Sequence, residues 1–137
     1  MTKEIHIRNK IDDLQQVNLF VEEISNELRL DPELTMNFNL VLEEMVSNVI
    51  FYAYPEGTVA PISLTAQTDN GSIIFTLSDE GRAFDPMTRK ENDLSINPAD
   101  RELGGMGIFI TKQIMDEVSY QRINGHNILT MKKSIKQ

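Results

Sequence analysis

The chain has 137 residues, 13 Lys and Arg against 21 Asp and Glu, a net charge of -8, no cysteine and only two histidines. That is the size of one domain, and its sign is wrong for a phosphate-backbone binder, so nucleic acid is not an expected partner. Disulfides, thiolate metal sites and cysteine nucleophiles are excluded outright, and His6 and His126 are too far apart in sequence for zinc-ligand spacing. No apolar run approaches the roughly 18 residues of a membrane span, and MTKEIHIRNK lacks an apolar signal core, so a cytoplasmic domain without membrane contact is expected.

Ile5 and Ile7 alternate with polar neighbours and predict a strand over about Lys3–Asn9. Asp12 or Asp13 can then cap a helix whose Leu14, Val17, Val21, Ile24 and Leu28 form one buried stripe. Asp31-Pro32-Glu33 opens a second helix, with Asp as N-cap and Pro at the first helical position; it should run to about Tyr54, before Pro55-Glu56-Gly57. Alternation in Ile62, Leu64, Ala66 and in Ile73, Phe75, Leu77 predicts strands over about Ala60–Thr68 and Ser72–Asp79, joined by the turn Thr68-Asp69-Asn70-Gly71. Residues Glu80 to Gly105 have no regular pattern, and a long irregular segment in a compact domain is more often functional than idle. A third helix ends near Met115, and strands over about Glu117–Arg122 and Asn127–Ser134 follow across Asn124-Gly125. The order β-α-α-β-β-loop-α-β-β predicts an α/β (α+β) fold. It is a two-layer sandwich with a mixed, mostly antiparallel sheet covered on one face by three helices.

Three motifs could carry chemistry. Glu44 and Asn48 sit four residues apart on the second helix and share a face that continues to Tyr52. An isolated Glu-x-x-x-Asn is usually a solvated polar stripe, but the pair also suits a magnesium–phosphate site. Magnesium takes few protein oxygens, an Asn amide oxygen can be one, and a Glu one turn away can accept a proton. Next, Asp79-Glu80-Gly81-Arg82-Ala83-Phe84-Asp85-Pro86 follows a strand. Asp79 could accept from an exocyclic amine, and Gly81 would let a flat ring approach the backbone. Finally, Leu103-Gly104-Gly105-Met106-Gly107-Ile108 opens a helix whose free amides can hold an anion.

In this order along most of the chain, the three motifs resemble those of the GHKL ATPases, whose domain is the Bergerat ATP-binding fold. The branch that the chain most resembles is that of the anti-sigma-factor serine/threonine kinases. It does so through Glu44-Met45-Val46-Ser47-Asn48 followed by Ala53-Tyr54, through Phe84-Asp85-Pro86, and through Gly104-Gly105-Met106-Gly107-Ile108 with Met115-Asp116-Glu117-Val118 beyond. The resemblance implies a single domain over residues 1–137 that binds ATP and Mg2+. It makes Asn48 the magnesium ligand and Glu44 the general base. Asp79 would read the adenine amine, with Gly81, Ala83 and Phe84 beside it. Residues 87–103 would be an ATP lid, Arg101 would meet the γ-phosphate, and Gly104, Gly105, Met106, Gly107 and Ile108 would line the phosphates. Two positions depart from the family: Tyr52 stands where His is frequent, and Gly125 is followed by His126-Asn127 in place of Gly-Thr.

The function so implied is that of an ATP-dependent protein kinase that phosphorylates a small antagonist protein and sequesters a sigma factor, with a homodimer allowed. A histidine-kinase-type ATPase domain and a non-catalytic nucleotide-dependent interaction module are the alternatives. The first of these is disfavoured because His6 falls in a predicted strand and His126 in a turn, neither on a dimerisation helix.

Overall fold

The computed structural model describes residues 1–88 and 107–136. Strand β1 (Thr2–Arg8) leads through a 3-10 turn (Ile11–Asp13) to helix α1 (Leu14–Leu28), and α2 (Pro32–Asn48) continues into a π-helical turn, Val49–Ala53. Strands β2 (Pro61–Asp69) and β3 (Ser72–Asp79) follow. Residues 107–114 form helix α3, and β4 (Glu117–Ile123) and β5 (His126–Ser134) complete the sheet. The spatial strand order is β1-β2-β3-β5-β4, and all four pairings are antiparallel. Both hairpins turn on Asn-Gly with positive φ at each residue: 51° and 80° at Asn70 and Gly71, 50° and 79° at Asn124 and Gly125. That backbone matches the right-handed twist of the strands it joins.

The helices cover one sheet face, as the alternation predicts. Val17, Phe20, Val21 and Ile24 of α1 and Phe38, Val41, Leu42, Met45 and Val46 of α2 are buried on it. Phe38 meets Phe75 of β3 edge-on, ring centroids 5.1 Å apart. From α3 come Ile108, Thr111 and the following Met115. The register arranges the covered face in rows across the sheet. Ala66, Phe75, Met131 and Val118 form one row, and Leu64, Leu77, Leu129 and Tyr120 the next. The row after these starts apolar with Ile7 and Ile62, then turns polar with Asp79, Asn127 and Arg122. An otherwise apolar face therefore ends, at the C-terminal end of β3, in buried hydrogen-bonding groups.

Two local expectations change. Asp13 does not cap α1 with its side chain. Its carboxylate is buried and accepts instead from Arg8, through the backbone N–H at 2.8 Å, Nε at 3.2 Å and Nη2 at 3.0 Å. Those bonds hold the Asp13 carboxyl below the usual range. The second helix reaches the Tyr54 region as expected, but its last turn is π rather than α. Asp31 caps it as read, accepting from Leu34 N–H at 2.8 Å.

Candidate nucleotide site

Glu44 lies half-buried on α2, and Asn48, one turn on, is buried. Burial pushes the Glu44 carboxyl up, and the neighbouring Glu43 pushes it further. Gly107, the first described residue of α3, packs directly on Glu44. A Cβ at Gly107 would stand 2.5 Å from Glu44 Oε2 and 3.1 Å from Glu44 Cβ, so any side chain there would push the Glu44 carboxylate from its place. The backbone at Gly107 and the Glu44 carboxylate thus share one spot, although they are far apart in sequence. Ile108, next along α3, is buried in the core.

The Asn48 amide tests whether magnesium fits here. Its Nδ2 is buried with no hydrogen-bond partner among the described residues. Buried amide groups are normally paired, so an orphaned one marks a place where a partner belongs. Turned about its last bond, the same amide offers Oδ1 to a cation. Among the described residues no cluster of three or more His, Cys, Asp or Glu could cage a metal alone. A single amide oxygen fits an ion that draws its other ligands from phosphate and water.

Asp79 sits at the end of β3, 4% exposed. Its Oδ1 accepts from Gly81 N–H at 2.9 Å and from Asn127 Nδ2 at 2.9 Å. Burial pushes the Asp79 carboxyl up, while the bonds from Asn127 and Gly81 and the charge on Arg122 act against the rise. Beyond it the chain turns against the end of α2: Arg82 N–H donates to Ala53 O at 2.8 Å and Arg82 Nε to Tyr52 O at 2.5 Å. Phe84 stacks on Tyr52 with centroids 5.7 Å apart and planes 23° apart, while Ala83 is exposed. Tyr52, which replaces the frequent His, therefore contributes a ring face to Phe84. A cavity of about 500 Å³ opens along this seam, lined by residues 51–55 and 80–82.

Gly81 proves necessary for a reason other than ring clearance. A Cβ there would lie 2.4 Å from the Ala53 carbonyl oxygen, a backbone atom already bonded to Arg82. Gly81→Ala is therefore expected to destabilise the fold by about 1–3 kcal/mol, the usual cost of overpacking. A urea titration checks this; an unchanged midpoint would mean that the 80–84 loop moves aside freely.

Asn127, in the sequence only a departure from the family's Gly-Thr, takes a definite role in the fold. It pairs with Asp79 across β3 and β5 and joins five groups of the site, a role visible only once the strands are in register. One signal was present: Asn127, Leu129 and Met131 alternate on the covered face, and an amide in that apolar register asks for buried partners. Arg101, Gly104, Gly105, Met106 and nearly all of the expected lid, 87–103, lie outside the described residues.

A five-stranded antiparallel sheet covered on one face by helices, with Glu44 and Asn48 on one of them and a buried aspartate at a strand end, is the arrangement of the Bergerat ATP-binding fold. The chain belongs to the histidine kinase-like ATPase domain family, which matches residues 7–133. It is similar to the serine/threonine-protein kinase BtrW of Bordetella bronchiseptica, 29% identical over 82% of this chain and 79% of the relative. It is also similar to the serine-protein kinase RsbW of Halalkalibacterium halodurans, 29% identical over 99% of this chain and 85% of the relative. Among solved structures, the RsbU and RsbW domains of a Mycobacterium tuberculosis protein share the fold. The TM-score is 0.68 at 14% identity, over 98% of this chain and 33% of that one. Among the described residues no helix is long and apolar enough to cross a membrane.

Proposed function

We propose that this chain is an ATP-dependent serine/threonine protein kinase that acts as an anti-sigma factor in the cytoplasm, phosphorylating a small antagonist protein and sequestering a sigma factor. The observation that carries this reading is the packing of Gly107 on Glu44. It sets a carboxylate with a raised proton affinity beside the helix start where phosphate would bind. The names of the relatives as serine kinases support the same choice.

In this reading Asp79 accepts from the adenine amine and Asn48 Oδ1 holds Mg2+ against the phosphates. Backbone amides from Gly104 to Ile108, with Arg101, receive the phosphate oxygens. Magnesium, when bound, supplies neutralising charge to those oxygens. The antagonist's seryl oxygen bonds to the γ-phosphorus as the bond from that phosphorus to the departing ADP oxygen breaks. Glu44 takes the hydroxyl proton. Buried and close to Glu43, its carboxylate gains more from that proton than an exposed glutamate would.

The test is transfer of labelled γ-phosphate to a panel of small antagonist-type domains, with co-elution of candidate sigma factors measured in parallel. Label on a serine of one antagonist, and a sigma factor bound when that antagonist is absent, are expected. ATP binding without transfer to any of them would leave an interaction module.

A further inference from the structure

Asn127 occupies a place where its side chain has nothing left to give a ligand. Its Oδ1 accepts from Tyr120 OH at 2.5 Å, Arg122 Nη1 at 3.1 Å and Phe84 N–H at 3.2 Å. Its two Nδ2 hydrogens go to Asp79 Oδ1 at 2.9 Å and to Arg82 O at 2.8 Å. An amide supplies two donors and one oxygen, so the inventory is spent within the protein. Three donors on one end and two acceptors on the other also fix which way the amide faces. Reversed, its oxygen would stand against a carboxylate and a carbonyl.

We infer that Asn127 is the positioning residue for base recognition. It holds one oxygen of Asp79 so that the other is presented to the exocyclic amine of the purine, and it pins the 81–84 loop to the same point. Among the described residues, every hydrogen bond to the Asp79 carboxylate ends on Oδ1, from Asn127 and from Gly81 N–H, which leaves Oδ2 outside the pair. Arg122 braces the arrangement from the neighbouring strand, donating also to Gly81 O at 2.6 Å. Asn127 thus makes no bond to the base itself and acts on the exocyclic amine through Asp79. The inference rests on the reading of Asp79 as the amine acceptor.

The measurement is the affinity for ATP relative to purine riboside triphosphate, which has the same phosphates and lacks the exocyclic amine. The parent is expected to prefer ATP by roughly ten- to a hundredfold, one charge-assisted hydrogen bond. In Asn127→Ala that preference should fall by about tenfold, while the affinity for the purine analogue changes little. Loosening of the fold alone would weaken both ligands alike and leave the ratio intact. Asn127→Asp keeps the oxygen that receives Tyr120, Arg122 and Phe84 but turns an acceptor on Asp79, so it should lose the preference at least as fully. Where either variant fails to fold, Tyr120→Phe on the half-exposed edge strand removes one of the three donors. It should lower the ratio about threefold. A ratio at the parent's value in the folded variants overturns the role of Asn127. A parent with no preference overturns the reading of Asp79 as well.

Discussion

Glu44→Gln is expected to bind Mg-ATP about as tightly as the parent and to transfer phosphate to a serine at least about a hundredfold more slowly, the usual contribution of a positioned general base. The structure makes this substitution clean. Glutamine keeps the length and shape that Gly107 packs against, and it removes a charge that is half-buried and repelled by Glu43. Asn48→Ala should do the opposite, weakening Mg-ATP binding first, because in the proposed reading its amide is the oxygen donor to Mg2+. The raised proton affinity of Glu44 adds a second readout. A base works only when deprotonated, so the rate should fall as pH drops through its folded pKa. That acid limb should lie above the ordinary glutamate value of about 4.3. Direct titration of nucleotide beside a transfer assay checks both; full transfer by Glu44→Gln would remove it as the base.

Asp79→Asn should weaken ATP binding roughly ten- to a hundredfold, equal to about 1.5–3 kcal/mol for a charge-assisted hydrogen bond. The reason lies in the geometry around Oδ1. Asn127 Nδ2 and Gly81 N–H both donate there, so an asparagine at 79 would turn its carbonyl oxygen towards them. Its NH2 would then point to the place of Oδ2, donor against the donor amine of adenine. The fold should hold. Burial raises the Asp79 carboxyl in the folded chain, and a raised carboxyl contributes its stability below the unfolded pKa and loses it as pH rises through the folded one. At neutral pH the charged aspartate therefore contributes nothing that a neutral amide would forfeit. Calorimetric titration decides the matter: an unchanged ATP affinity would take Asp79 out of the site.

The parts of this protein that were legible in its sequence are those set by short-range rules. Period-two alternation placed β3 at Ser72–Asp79, and Asn-Gly marked both hairpins, because the turn backbone requires positive φ at two adjacent residues. Glu44 and Asn48 were readable because helical spacing puts them together. What could not be read depends on contacts between distant segments. The π turn at Val49–Ala53 has no sequence signature in the pattern of apolar residues. Asp13 looked like a cap because Arg8 reaches it only by folding back from β1. Gly81 looked like clearance for a ligand, and only the placing of Ala53 shows that its space is already taken. Asn127 meets Asp79, 48 positions away, and no local pattern announces that pairing.

The two-residue turn at Asn124-Gly125 has a consequence beyond the hairpin it closes. Its length sets Arg122 opposite Asn127 and Tyr120 one step along the same face. Side chains alternate faces along a strand, so a single inserted residue would slide β4 by one position and carry both donors to the far side of the sheet. The exposed tip of this hairpin is therefore as intolerant of changes in length as a buried segment. The companion turn at Asn70-Gly71 is held in length by the same rule, since it sets Phe75, Leu77 and Asp79 opposite Ala66, Leu64 and Ile62 on the covered face.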